Sequence, residues 1–331
     1  MQAMKITTDW HIHSGNSCDA ACLPMRDLVW RAAEEGITDF GISDHLHTAY
    51  NLPDIEASRQ EYLACHPRPR FHFGIEVSCV SQWELDEIAM GKHDRPVYGL
   101  RGGGPPGGAM AIGMTRADIE RLGIEYVVAG AHWPLYVPLE RRAVIEDYHR
   151  QNVFLACHEL VDIVAHPWWW MGHWQDADHR YTTGPWLDDF AIIPRSMHDE
   201  FVAAAVQHGT AVEINLEAML LNALYSEAFI REYLEYLAYL QGRCVRLSIG
   251  SDCHDGHYAF GLQDQRLRPL GGGEAFRTCY DAINGDWASF APTAEEQPNS
   301  HYSAGLEKAA ALLDSVGIDD NKLWRLPPRE G

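Results

Sequence analysis

Histidines and acids recur at the ends of the most strand-like runs of this chain. His11 and His13 close the first run, His45 follows the second, Glu76 lies in the third, His132 follows the fourth and His166 the fifth. Asp252 and His254 follow the seventh. On an extended segment, residues two apart face the same way, so His11 and His13 can share one ion. Asp252 and His254 repeat that spacing. Neutral imidazoles mixed with carboxylates suit divalent Zn, Fe or Mn, and a carboxylate such as Glu76 can bridge two ions. A lone His-x-His pair is weak evidence, because barrel mouths often bury hydrogen-bonded histidines; ligand-type residues at six of seven strand ends are hard to place by chance. The chemistry that such a cluster supports is hydrolysis by a metal-activated water.

Something must bring these residues together. Strand-like runs at 5–11, 38–43, 71–77, 126–131, 162–165, 211–216 and 245–249 alternate with helical patterns at 24–35, 143–155, 197–208 and 226–240. In the first helical pattern Met25, Leu28, Val29, Ala32 and Ala33 fall at helical spacing, with Pro24 before them and Gly36 as a stop. Strand, helix, strand repetition implies parallel pairing, in a barrel or a doubly wound sheet, and both gather the carboxyl ends of their strands on one face. Two stretches break the rhythm: 90–113, which contains RGGGPPGG, and 168–194, rich in Trp, His and Asp. Long irregular insertions of this kind are usually functional lids or surface excursions. No sequence repeat or linker divides the chain, so residues 1–331 read as one domain, closed by a helix at 303–316.

Composition narrows the partners. With 46% hydrophobic and 22% charged residues, there is material for a large core and no signature of disorder. A formal charge of −21 opposes binding to a phosphate backbone, and no cluster of Lys and Arg counters it, so nucleic acid is not an expected partner. The opening MQAMKITTDWHIHS has no apolar stretch behind a basic region, and no run of about eighteen apolar residues occurs. A cytoplasmic protein with no membrane partner is expected. The eight cysteines are scattered, which favours reduced thiols; Cys18 and Cys22 lack a second pair to complete a thiolate metal site.

The same residues carry a family resemblance. DWHIHS at 9–14, GISDH at 41–45, GIE at 74–76, GAH at 130–132, AHP at 165–167 and GSDCH at 250–254 resemble, in order, the motifs of the PHP (polymerase and histidinol phosphatase) domain family. The set covers almost the whole chain. The resemblance implies a distorted seven-stranded (β/α)7 TIM-like barrel with a trinuclear centre of divalent ions, Zn, Fe or Mn. By the family pattern the first ion takes His11, His13, Glu76 and Asp252; the second shares Glu76 and adds His132 and His166; the third takes Asp19, His45 and His254. Asp19 stands six residues beyond His13, as the pattern asks, although no strand fixes its direction and a loop-capping role is the alternative.

The expected activity is hydrolysis of a small phosphate monoester by metal-bound hydroxide, with Glu76, Asp252 and His254 at the centre of the chemistry. Substrate binding is expected of Arg195, Asn215, Trp168 and His257. Glu213 and Asn215 share a face of the sixth strand and suit the orienting of ligands; Asp44 suits the same task or a turn cap. His47, His173 and His179 are further candidates to donate a proton. Few basic residues flank the motifs: Arg195, Arg101 and Lys92, all in or beside the insertions. That scarcity leaves carbon–nitrogen or carboxylic ester hydrolysis as a rival, and a non-catalytic metal sensor as a second.

Overall fold

Runs rich in Val, Ile and aromatic residues suit a pleated surface buried on both sides, and here they become short parallel strands. The computed structural model describes residues 4–19, 24–65, 70–170, 174–182, 184–222, 224–254 and 301–327. In chain order the elements are β1 (Thr8–Asp9), α1 (Met25–Glu34), β2 (Asp39–Ile42), β3 (His45–Leu46) and α2 (Leu52–Ala64). Then come β4 (Phe71–Ser78), β5 (Val80–Ser81), α3 (Gln82–Ala89), β6 (Met110–Ala111), α4 (Arg116–Leu122) and β7 (Tyr126–Gly130). The remainder is α5 (Arg141–Cys157), β8 (Ile163–Ala165), β9 (Trp174–Gln175), β10 (Tyr181–Thr182), α6 (Arg195–His208), β11 (Ala211–Asn215), α7 (Glu227–Gly242), β12 (Leu247–Gly250) and α8 (His301–Ser315).

Seven parallel strands run β1-β2-β4-β7-β8-β11-β12, with β3 added beside β4. The ring is nearly closed between its first and last members. Trp10 N–H donates to the Ile249 carbonyl at 2.9 Å, Asp252 N–H to His11 O at 2.8 Å and His13 N–H to Cys253 O at 3.0 Å. The expected (β/α)7 barrel is therefore present as a single domain. Two boundaries differ from expectation: the first strand is only Thr8–Asp9, and the segment carrying His11 and His13 joins Cys253 by one isolated parallel bridge at Ile12. Helices α2, α3 and α4 have no counterpart in the sequence reading.

Inside the ring, Trp10, Tyr126, Val128, Ile163, Ala165 and Ala211 form a compact buried core. Trp324 closes its lower end: its N–H donates to Leu247 O at 2.7 Å, and its ring meets Trp10 edge-on with centroids 5.0 Å apart. Gly41 and Gly74 make room for Tyr126, since a Cβ at either position would run into its ring. A larger apolar layer lies between the strands and the surrounding helices.

Short antiparallel pairs order both insertions. Antiparallel pairing of β5 with β6 closes 90–113, and β9 with β10 forms a hairpin within 168–194. Among the described residues no helix is long and apolar enough to cross a membrane. Cys18, Cys65, Cys79, Cys157 and Cys244 form no disulfide, while Cys22 and Cys279 lie outside the described residues.

Candidate metal centre

Above the aromatic core, at the carboxyl ends of the strands, Glu76 projects into the middle of the ring and is wholly buried. Five imidazoles surround its carboxylate. Oε1 lies 3.0 Å from His132 Nε2 and 3.1 Å from His166 Nε2. Oε2 lies 2.7 Å from His45 Nδ1, 3.1 Å from His11 Nε2 and 3.6 Å from His13 Nε2. Asp252 Oδ1 stands 3.3 Å from His13 Nε2 and 3.4 Å from His11 Nε2. On the outer side Asp19 Oδ2 is 2.6 Å from His254 Nε2 and 2.9 Å from His45 Nε2. The loop after β1 thus aims Asp19 inward, and all nine residues expected as ligands meet in one place.

Local folding explains the convergence. The bridge between Ile12 and Cys253 places His11 and His13 on one side of their segment and Asp252 and His254 beside them. In β3, His45 pairs in register with Glu76. Gly130, two residues before His132, leaves space for His166: a Cβ there would come within 2.6 Å of His166 Cε1. His166 and Asp252 both adopt positive φ, 26° and 57°, a conformation that side chains other than glycine seldom take and that tends to occur at functional sites.

A surrounding set of groups fixes the rings. Glu213 accepts from His11 Nδ1 at 2.6 Å on Oε1, and from His166 N–H at 2.7 Å and Asn215 Nδ2 at 3.0 Å on Oε2. Asn215 also donates to Asp252 Oδ2 at 3.1 Å. This is the arrangement in which a carboxylate holds the outer N–H of a histidine and leaves the inner nitrogen for a metal. His254 does the same with the Asp252 carbonyl, at 2.8 Å from Nδ1. Ser78 Oγ lies 2.7 Å from Nδ1 of His132 and 2.7 Å from Nδ1 of His47. Asp44 accepts from Ser14 N–H at 2.6 Å and Ser58 Oγ at 2.5 Å, tying the loop after His13 to α2. Ser17, whose Oγ accepts from His45 N–H at 3.3 Å, Ser58 and Ser78 escape a sequence reading, because serine is common and only the two-residue offset of Ser78 from Glu76 hints at a shared face.

Electrostatics follow from burial and mutual pairing. Burial, with the neighbouring charges of His254 and His45, holds His13 down to about 3, and burial holds His132 down to about 4. Both imidazoles are therefore neutral, the form a metal requires. Burial alone would raise Glu76, but His11, His45 and His132 pull it well below the usual carboxylate range; His254 and His45 do the same for Asp19. His254 is raised to about 9 against the effect of burial, chiefly by Asp19.

Several of these close contacts lack hydrogen-bond geometry. His11 Nε2, His13 Nε2, His45 Nδ1 and Glu76 Oε2 are buried and have no hydrogen-bond partner, so they face shared points between them. Among the described residues, three groups hold their donor atoms within 4.8 Å of one another: His13, Asp19, His45 and His254; His11, His13 and Glu76; His45, Glu76 and His132. Imidazole and carboxylate donors so placed fit divalent Zn, Fe or Mn.

The residues expected to bind substrate fare differently. Asn215 is fully buried and braces Glu213 and Asp252. Trp168 is buried against His198; its neighbour Trp169 is the one whose ring lies 5.0 Å from His166. Arg195 is exposed, stacked 3.7 Å over Tyr239 and paired with Asp199 at 3.6 Å, and the structure does not bring it to the cluster. Lys92 pairs with Glu87 at 2.7 Å on the surface. His179 sits in a surface turn with φ 60°, while His173 and His257 lie outside the described residues. His47 is buried, with its ring stacked on His45 at 4.7 Å.

Comparison with solved structures returns a protein from Listeria monocytogenes named as a histidinol phosphatase. It aligns at a TM-score of 0.50 over 78% of this chain and 99% of that one, at 10% identity. The two chains share a fold. Lower-scoring matches include an organophosphorus hydrolase from Deinococcus radiodurans, at a TM-score of 0.34 and 13% identity over 97% of this chain and 89% of that chain. An archaeal ribonuclease P chain aligns at a TM-score of 0.35 and 12% identity over 98% of this chain and 99% of that one. At such scores neither carries an argument about this molecule. No family model matches the sequence, and no curated protein does.

Proposed function

We propose that this chain is a metal-dependent hydrolase of small phosphate monoesters, built on two to three divalent ions. The observation that carries this reading is the set of unpartnered buried donor atoms around Glu76, within a cluster of six imidazoles and three carboxylates. Zn, Fe or Mn bound there would supply Lewis acidity and water activation near neutral pH. His11, His13, Glu76, Asp252, His132, His166, Asp19, His45 and His254 would hold the ions. Grouping by distance assigns His13 and His45 to more than one cluster, whereas the PHP pattern gives each to a single ion.

The remaining work falls to the chain. Glu213 and the Asp252 carbonyl, which can only accept, set the tautomers of His11 and His254, while Ser78 holds the His132 ring in place. With an ion on Nε2 of His132, its Nδ1 would carry the proton and donate to Ser78, which would then donate to Nδ1 of His47. That would place the proton of neutral His47 on Nε2.

Carbon–nitrogen or carboxylic ester hydrolysis is the second reading, favoured by one observation: Arg195 and Lys92 are engaged elsewhere, leaving few cations for phosphate. The test is a turnover screen of the protein loaded with Zn, Fe or Mn, using phosphate monoesters, amides and carboxylic esters side by side. Phosphomonoesterase rates above the rest are expected, with two to three ions per chain by elemental analysis. Less than about half an ion per chain after reconstitution, too little to fill any site, would remove the hydrolase reading.

A further inference from the structure

The segment joining α3 to β6 is tied down at several points. Buried Glu84 of α3 accepts from Leu100 N–H at 2.6 Å and from the Tyr136 hydroxyl at 2.8 Å. Asn51 Nδ2 donates to Val97 O at 3.0 Å, and the Tyr98 hydroxyl donates to Cys18 O at 3.1 Å. These ties carry residues 97–101 over the strand ends, with the Tyr98 ring 5.6 Å from that of His47. There Arg101 lies over Trp133, its Cζ 3.2 Å from the ring centre. Trp133 follows His132 in the chain, and its ring stands 5.8 Å from His132 and 5.5 Å from His47.

Many of the other cations pair with carboxylates; Arg101 instead lies on an indole beside the cluster. Lys92, Arg121, Arg142, Arg150 and Arg195 each have a carboxylate partner, as expected with 47 acidic and 26 basic residues. Among the described residues no ion pair involves Arg101. Buried Glu84, whose carboxyl feels the charge of Arg101, has its oxygens engaged by Leu100 N–H and the Tyr136 hydroxyl. At 3.2 Å the guanidinium lies against the indole face, so its N–H donors point sideways in their own plane, the edge that takes a carboxylate or phosphate in bidentate fashion.

We propose that Arg101 recognises an anionic group, carboxylate or phosphate, that the substrate carries away from the bond to be cleaved. Trp133 meets His132 and His47 and also carries the guanidinium, so a substrate with one anionic group among the ions could reach Arg101 with a second. This rests on the hydrolase reading above and adds a substrate class to it: small esters that carry a second anionic group.

The test uses non-hydrolysable probes bound to the full-length metal-loaded protein, measured by calorimetry: phenylphosphonate, para-carboxyphenylphosphonate and para-phenylenediphosphonate. Wild type should prefer the probes with a second anion by roughly ten- to a hundredfold, the worth of a charge-assisted bidentate contact. Arg101→Gln should bring that ratio close to one with unchanged metal content and melting temperature, and Arg101→Lys should keep part of it. The two bifunctional probes separate carboxylate from phosphate recognition. Equal affinity of wild type for all three probes, or binding of none, overturns the proposal, as does a ratio that survives Arg101→Gln. An intact ratio in a protein that turns over no ester would instead sink the hydrolase reading alone.

Discussion

Glu213 takes a hydrogen bond from His11 on one oxygen and from the His166 backbone and Asn215 on the other, so a single carboxylate orients two expected ligands. Glu213→Gln keeps the shape but brings an amide that donates toward His11 Nδ1, or toward His166 N–H and Asn215 if it flips. Metal affinity should fall about 10–100-fold, as for other partners of ligating histidines. A competition titration against a chelator measures it, and an unchanged affinity would leave Glu213 a packing residue. Asp19, the ligand candidate supplied by a loop, makes a separable prediction. Asp19→Ala should release part of the metal, because the groups around Glu76 keep their donors, whereas Asp19→His should restore some of it, since imidazole suits the same ions. Full metal content in Asp19→Ala would make Asp19 structural. The ligand types and their two-residue spacings were legible in the sequence. The substrate side was not: Trp168 and Arg195 carry the right chemistry, and only packing reveals that one is buried against His198 and the other is stacked on Tyr239.

Among the elements, β4 combines the central carboxylate, Glu76, with a close approach to another strand. Gly74 of β4 faces the Tyr126 ring, so Gly74→Ala forces a methyl group into a filled interior and should destabilise the protein by about 1–3 kcal/mol. Tyr126→Val in the same chain should recover part of that loss relative to the sum of the single changes. Chemical denaturation of the four variants measures the coupling; strict additivity would show that the ring is not what the methyl group meets. Strong apolar runs made the seven barrel strands readable. Helix α2 was not, because its buried positions are Ile55, Ser58 and Tyr62, too sparse and too polar to show a stripe. The short helix α3 was hidden for another reason: it leads into the Gly-rich stretch at 101–108, whose composition signals a loop.

At the scale of the molecule, the lower rim of the barrel is held by charge. His72 on β4 contacts Asp39 of β2 through Nε2 and Glu125, just before β7, through Nδ1, both at 3.1 Å, and Trp10 lies against its ring. Burial opposes protonation, but hydrogen bonds and the charges of the two acids raise His72 from 6.5 to about 9. The pairing therefore stabilises fully below pH 6.5 and is lost as pH rises through about 9. The margin by which wild type out-melts His72→Gln should be widest at the acidic end of that window and shrink by roughly 2 °C or more beyond it. A margin independent of pH would disprove the charged pairing. The seam between β1 and β12 has a different kind of consequence, one set by the order of synthesis. Its hydrogen bonds join residues 10–13 to residues 249–253, so His11 and His13 wait beside an open edge until nearly all of the described barrel has been made. The nine-residue cluster is then a property of the finished ring alone. A nascent or truncated chain that stops before β12 lacks Asp252, His254 and the bridge that seats His11 and His13.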